Sequence, residues 1–179
     1  AALCVSHVQQ APRGRLKISA PLSFGITHLA PCIAQFARRY DELTIDMDLN
    51  DRMIDLVEEG FDVAIRITRL KDSSLIARKI TTTERMVVAT PGYWDRHGRP
   101  QHPRDLAGHN CFLYAYLRTP KHWEFCEPGG QTFTVRVDGN YYGNNGNVTA
   151  RMTAEGLGVA ALPSFLCEEY LADGRLEVV

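Results

Sequence analysis

"NDRMIDLVEEGFDVAIRI", residues 50–67, is the stretch on which the fold turns. Its first half reads as a short amphipathic helix, with Met53, Leu56 and Val57 inward and Gly60 as its stop. Its second half, "FDVAIRI", reads as a buried strand. Upstream, "RLKISA" begins a strand and "PLSFG" breaks it. "ITHLAPCIAQFARRY" then sets Leu29, Ile33, Phe36 and Tyr40 at helical spacing. Ser23 or Thr27 is the expected cap, and Pro31 demands a late helix start or a bend. "LTIDMDL" alternates, with Ile45, Met47 and Leu49 on one side. Strand, helix, strand, helix, strand is the pattern of parallel α/β units. Their crossovers are right-handed, so the strand ends collect along one edge.

Further along, "LIARKI" and "RMVVA" read as strands. "TPGYWDRHG" reads as a short helix capped by Thr90 with Pro91 at its first position. "HPRDLAGH" is another helical piece. "CFLYAY", "HWEF" and "TFTVRV" read as strands, with "EPGG" a turn between the last two. "GNYYGNNGN" reads as a loop. "VTARMTAEG" is a helix capped by Asn145 or Asn147, "LGVAALP" a strand, and "SFLCEEYLADG" a final helix started by Ser164. This last block is like the first in character. The middle therefore reads as an inserted lobe, entered near 68–75 and left near 138–147.

Composition narrows the function classes. The 179 residues carry a net charge of -1, with 45% apolar and 23% charged residues. This balance offers no nucleic-acid surface and no polybasic membrane anchor. No apolar run reaches bilayer length and no secretory signal is visible. Cys4, Cys32, Cys111, Cys126 and Cys167 form no CxxC pair, so neither a zinc nor a redox motif is indicated. Each has apolar neighbours and reads as a small core residue in a reducing compartment, Cys4 being the most exposed. The chain starts without Met and stops on "GRLEVV", so a fragment of a longer protein is expected.

Ligands of open α/β sheets sit beyond the carboxyl ends of the strands. Four such ends are "APLSFG", "LND", "RIT" and "ALPSF". Ser23 stands where a helix N-terminus offers unpaired N–H groups to an anion, as a cap alone or as a cap that also meets a ligand. Asn50 and Asp51 lie between a strand and a helix, where Asp51 reads first as an N-cap. Arg66 leaves a strand end, free to grip a carboxylate bidentately or to pair with Asp62, Asp72 or a partner subunit. Asn144, Asn145 and Gly146 form a polar loop that reads either as a ligand contact or as a flexible crossover. No G-x-S-x-G elbow, no P-loop and no dinucleotide fingerprint occurs. His97, His102 and His109 give only a weak metal pattern. Trp94, Trp123, Tyr114 and Tyr116 read as core or lobe-surface aromatics.

These residues resemble a known family. "GRLKISAPLSFG", "DLVEEGFDVAIRI", "GRPQHPRDLAGHNC" and "AEGLGVAALPSF", in this order from about Gly14 to Val179, resemble the co-inducer-binding domain of LysR-type bacterial transcriptional regulators. The resemblance implies an α/β fold of two Rossmann-like lobes joined by two crossovers, like type 2 periplasmic binding proteins. Residues 1–13 would end a linker helix, 14–70 plus 147–179 would form lobe I, and 71–146 lobe II. A winged helix-turn-helix would precede the chain. A further strand and a helix over the first lobe would follow it, so an apolar patch is expected where that helix lies. A small anionic or aromatic effector would sit between the lobes, near Leu22, Ser23, Asn50, Asp51, Arg66, Asn144, Asn145 and Pro163. No cofactor, metal or catalysis is implied. The domains would pair as homodimers through the helix around 27–40 and the helix after Thr149, and as tetramers in the whole protein. DNA would be met only by the N-terminal domain, in the cytoplasm. The rival of another class is a solute-binding protein of a transport system; an enzyme using the same cleft is a third.

Overall fold

The computed structural model describes residues 12–52, 54–68 and 75–179. The chain divides into two compact units, residues 1–66 and 67–179. Each is an α/β unit, and the sheets are mixed in sense.

The first unit is a parallel sheet in the order β2-β1-β3, built from β1 (Gly14–Ala20), β2 (Leu43–Leu49) and β3 (Val63–Ala64). The chain goes from β1 to one side and returns to the other. The boundary between β1 and β3 is thus a topological switch point. Register pairs Ser19 with both Asp48 and Ala64, so these three side chains share one face.

Between β1 and β2 runs a helical segment of three pieces: α1 (Leu22–Phe24), a π turn (Gly25–Leu29) and α2 (Ala30–Arg39). Neither Ser23 nor Thr27 caps it. Pro21 precedes it, and the Thr27 hydroxyl donates back to the Ser23 carbonyl at 2.9 Å. The wide turn settles the problem of Pro31. The Ala30 N–H bonds the Gly25 carbonyl five residues back, and the missing N–H of Pro31 falls in the first turn of α2, where none is required.

Three expectations are corrected. Residues 51–60 do not form a helix; Leu56–Gly60 is a turn. The Asp55 carboxylate accepts from the Val57 and Glu58 amides at 2.9 and 3.1 Å, a local alternative to the helical ladder. Gly60, at φ +68°, ends this turn and no helix, and Val57 faces solvent; Met53 lies outside the described residues. "LIARKI" is exposed and irregular, with no strand partner for Ile76 or Ile80 among the described residues. The assignment of 147–179 to the lobe of 14–70 is also corrected. Strand β9 (Ala160–Pro163) pairs antiparallel with β4 (Arg85–Ala89), and β10 (Glu177–Val178) takes the other edge of β4. The chain therefore stays in the second unit from residue 67 onward, and no return occurs near 138–147. The backbone pairing decided this, and apolar periodicity alone does not specify it.

Other readings hold. Thr90 caps α3 (Pro91–His97), its hydroxyl accepting the Tyr93 N–H at 3.0 Å. Pro103–Gly108 is a 3-10 helix closed by a capping box of His102 and Asp105. β6 (His122–Cys126) and β7 (Thr132–Arg136) form a hairpin over the expected "EPGG" turn. β5 (Leu113–Tyr114) runs parallel to β8 (Tyr142–Gly143). Asn145 caps α4 (Gly146–Ala154), not Asn147. Ser164 begins a 3-10 turn (Ser164–Leu166) ahead of α5 (Glu168–Ala172), but its hydroxyl meets Thr83 and caps nothing.

The second unit has two apolar clusters. One gathers Tyr93, Trp94, Leu106, Trp123 and Val137; the other gathers Val88, Phe112, Ala150, Leu162 and Leu176. Cys111 and Cys167 are buried as expected, whereas Cys32 and Cys126 are exposed; Cys4 lies outside the described residues. Burial pushes the Cys111 thiol up to about 12 and the Cys167 thiol to about 11, and thiolate is the reactive form. Iodoacetamide at pH 8 should therefore label Cys32 and Cys126 in the native chain, and Cys111 and Cys167 only after denaturation. Peptide mass mapping reads the difference.

His109 gives a second expectation. Its ring meets Trp94 edge-on at 5.4 Å and Tyr93 at 5.9 Å, and its buried Nδ1 has no hydrogen-bond partner among the described residues. Burial, reinforced by His97 and partly offset by Asp105, holds its pKa below the ordinary value. Above about pH 6.5 the ring is neutral in both states. Below that, the unfolded chain takes the proton more readily than the folded one, so stability falls as pH drops. Both tryptophans lie in this unit. Denaturant unfolding followed by tryptophan fluorescence should show the loss between pH 7 and 5, with a flatter slope in His109→Gln.

Candidate functional site

Five expected residues gather at the carboxyl edge of the first sheet. β1 ends at Ala20, whose carbonyl accepts the Asn50 N–H at 2.9 Å, tying the ends of β1 and β2 together. Asp51 is not the cap of a following helix. Its Oδ1 accepts the Leu22 N–H at 2.9 Å, satisfying one orphan donor of the helical segment. Asn50 turns its Oδ1 onto the Arg52 N–H at 2.8 Å.

Ser23 is only 5% exposed, and its Oγ has no hydrogen-bond partner among the described residues. A buried hydroxyl left unpaired costs about 1–3 kcal/mol. Such an atom beside a helix N-terminus is a vacancy in the polar accounting that a ligand's acceptor or donor would fill.

Arg66 is half-buried and does not pair with Asp62. Its Nη2 donates to Ser19 Oγ at 2.8 Å and its Nη1 to the Ile65 carbonyl at 2.9 Å. Burial lowers its pKa, while Asp48 and Asp51 act in the opposite direction. The two anchoring bonds leave further N–H groups of the fork to bind an acceptor. Asp62 has a separate duty: its carboxylate accepts the Lys17 N–H at 2.8 Å, pinning the start of β3 to β1. The charges at the two ends of "DVAIR" thus do different work, one joining strands and one facing the switch point.

Ser19 and Asp48 were not singled out by sequence. Period-2 alternation places each on one face of its own strand, but their meeting with Arg66 depends on the parallel register.

Asn144, Asn145 and Pro163 belong to the second unit. Asn145 is engaged as the α4 cap, its Oδ1 accepting the Val148 N–H at 2.9 Å. Asn144 is exposed, and its Nδ2 donates to the Tyr116 hydroxyl at 3.0 Å. Pro163 closes β9 opposite Arg85. Among the described residues no three His, Cys, Asp or Glu side chains come together to hold a metal, and no helix is long and apolar enough to cross a membrane.

Known proteins share this sequence and fold. The chain is 35% identical over 172 residues to an uncharacterized HTH-type transcriptional regulator of Haemophilus influenzae, covering 96% of this chain and 59% of that protein. It is 36% identical to the HTH-type transcriptional regulator PtxR of Pseudomonas aeruginosa, covering 96% and 55%. The chain thus spans little more than half the length of these relatives. It superposes on the full-length structure of the Vibrio cholerae virulence activator AphB, a member of the LTTR protein family, with a TM-score of 0.80 at 30% identity, covering 94% of this chain and 57% of that one. The LysR substrate binding domain pattern matches residues 9–179. A parallel sheet with its switch point lined by Ser19, Ser23 and Arg66, and sequence kinship over nearly the whole length, lead to one assignment: the chain belongs to the LysR substrate-binding domain family, the ligand-sensing regulatory part of LysR-type transcriptional regulators.

Proposed function

We propose that this domain senses a small carboxylate-bearing metabolite through the edge of its first sheet. The observation that supports this most is the buried, unpartnered Ser23 hydroxyl at the start of a helical segment, on the sheet edge that also carries the anchored Arg66 fork. Arg66 supplies charge-assisted donors and Ser23 a donor or acceptor. Leu22 and Asn50 frame the site, and Asp51 orders it by holding the Leu22 amide. Asn144, Asn145 and Pro163 are assigned to the effector as well, Asn145 through its backbone because its side chain is engaged. The two units are read as Rossmann-like lobes of the type 2 periplasmic-binding-protein kind.

The effector acts by binding one arrangement of the domain more tightly than another, since only a difference in affinity shifts the population. In the whole protein this would reposition an N-terminal winged helix-turn-helix on DNA, in the cytoplasm. Homodimers are assigned to the α2 face, where Cys32, Gln35, Phe36, Arg39 and Tyr40 line an open groove and no α2 residue is buried.

Isothermal titration of the chain with a panel of small aromatic and aliphatic carboxylic acids tests the reading. Saturable heat with at least one acid is expected. Silence across the panel from a folded chain would overturn it.

A further inference from the structure

The face of the first sheet that carries Ser19 is polar, and its side chains are taken up one by one except at the carboxyl edge. Register aligns Arg15 with Thr44, Lys17 with Asp46 and Ser19 with Asp48. Arg15 binds the Asp46 carboxylate, its Nε donating at 3.1 Å. The Lys17 ammonium donates to the Glu59 carbonyl at 2.7 Å. One step further along, the Arg66 fork lies on Ser19. Asp48, on the other side of Ser19, is exposed and has no hydrogen bond or ion pair among the described residues.

Arg66 and Asp48 feel one another without pairing. Burial lowers the Arg66 pKa, and Asp48, ahead of Asp51, pushes it up. The bonds to Ser19 and the Ile65 carbonyl fix the fork where it is. Neighbouring strands lie about 5 Å apart, so a fixed cation and an uncommitted anion stand roughly one strand spacing from each other. A bare carboxylate at Arg66 is attracted by the fork and repelled by Asp48. A ligand with an ammonium beside its carboxylate meets both charges favourably. Asp51 is less suited to that ammonium, because its Oδ1 already holds the Leu22 amide. The buried, unpartnered Ser23 hydroxyl on the same edge can donate to a carboxylate or accept from an ammonium.

We propose that the effector is a zwitterion, a small α-amino acid, whose carboxylate is bound by Arg66 and whose ammonium is bound by Asp48, the residue that sets this specificity. This rests on the reading that Arg66 faces the effector. The fork recognises any carboxylate, whereas Asp48 rewards only a ligand that also carries a cation, so the two contributions separate.

Acids that differ only by the amino group are titrated into the chain by calorimetry at neutral pH: alanine against propionate, valine against isovalerate, phenylalanine against hydrocinnamate. In at least one pair the wild type should prefer the amino acid by roughly tenfold or more, the scale of a charge-assisted hydrogen bond. Asp48→Asn should weaken that amino acid and tighten its bare acid, abolishing the preference; loss of a merely structural contact would move both the same way. Asp48→Ser serves as a second variant should Asp48→Asn not fold. A wild type that binds both members of every pair equally, or prefers the bare acids, overturns the zwitterion and leaves the carboxylate site standing. A preference that survives in Asp48→Asn overturns the role of Asp48. Binding of no member of any pair to the folded chain also overturns the proposal, and the carboxylate reading falls with it only if the wider panel of acids is silent too.

Discussion

Gly139→Ala is expected to destabilise the second unit by about 3 kcal/mol, the scale of forced overpacking in a closed site. A Cβ at this position would stand 2.1 Å from the Cys111 carbonyl oxygen and 2.8 Å from its carbon. That backbone has little room to retreat. The Cys111 N–H donates to the Asp138 carbonyl at 2.9 Å, and the next amide, of Phe112, donates to Val159 at 2.8 Å. Asn110 fastens the same crossing, its Nδ2 reaching the Asn140 side chain at 2.9 Å and the Leu157 carbonyl at 2.8 Å. Urea unfolding followed by tryptophan fluorescence measures the loss. Gly129→Ala is the control, because a Cβ there meets nothing within 4 Å. Its stability should change by no more than about 0.5 kcal/mol. Equal midpoints for the two variants would show that the crossing yields more easily than its hydrogen bonds imply.

Arg66→Ala should weaken a carboxylate effector by about 1–3 kcal/mol, which is roughly five- to 150-fold in Kd. The fork is already oriented by Ser19 and Ile65, so little side-chain freedom is lost on binding. Arg66→Lys should recover only part of the affinity, because an ammonium cannot reproduce the two-pronged anchoring and still present a planar edge. Asp48 shares the face of Ser19 and acts on Arg66 electrostatically. Asp48→Asn should therefore tighten the same ligand by removing a repelling charge. Calorimetry with an acid that binds the wild type reads all three variants. Unchanged affinity in Arg66→Ala would assign the guanidinium to structural duty with Ser19.

Much of this arrangement was legible before any coordinates. Alternation in "RLKISA" and "LTIDMDL", and the helical spacing of Leu29, Ile33, Phe36 and Tyr40, pointed to the parallel first unit. Thr90 and the "EPGG" turn announced themselves through local chemistry, as did Asn145 as one of two named caps. The failures came where local signals compete. "DRMIDLVEEG" has helical spacing, yet the Asp55 side chain captures the Val57 and Glu58 amides and leaves a turn. "LIARKI" reads as a strand and finds no partner strand among the described residues.

What the linear order of residues could establish was kinship, the parallel α/β character of the first fifty-odd residues and the stations of Ser23, Asn50, Asp51 and Arg66 at strand ends. These follow from short-range periodicity and capping, which are encoded within a few neighbours. Tertiary structure alone decided that 160–163 pairs with 85–89, that Asp51 holds the Leu22 amide, that Arg66 chooses Ser19 over Asp62, and that Asn144 meets Tyr116. Each of those contacts joins residues at least 28 positions apart. Such a pairing is chosen by register and packing across the sheet, and no local pattern records it.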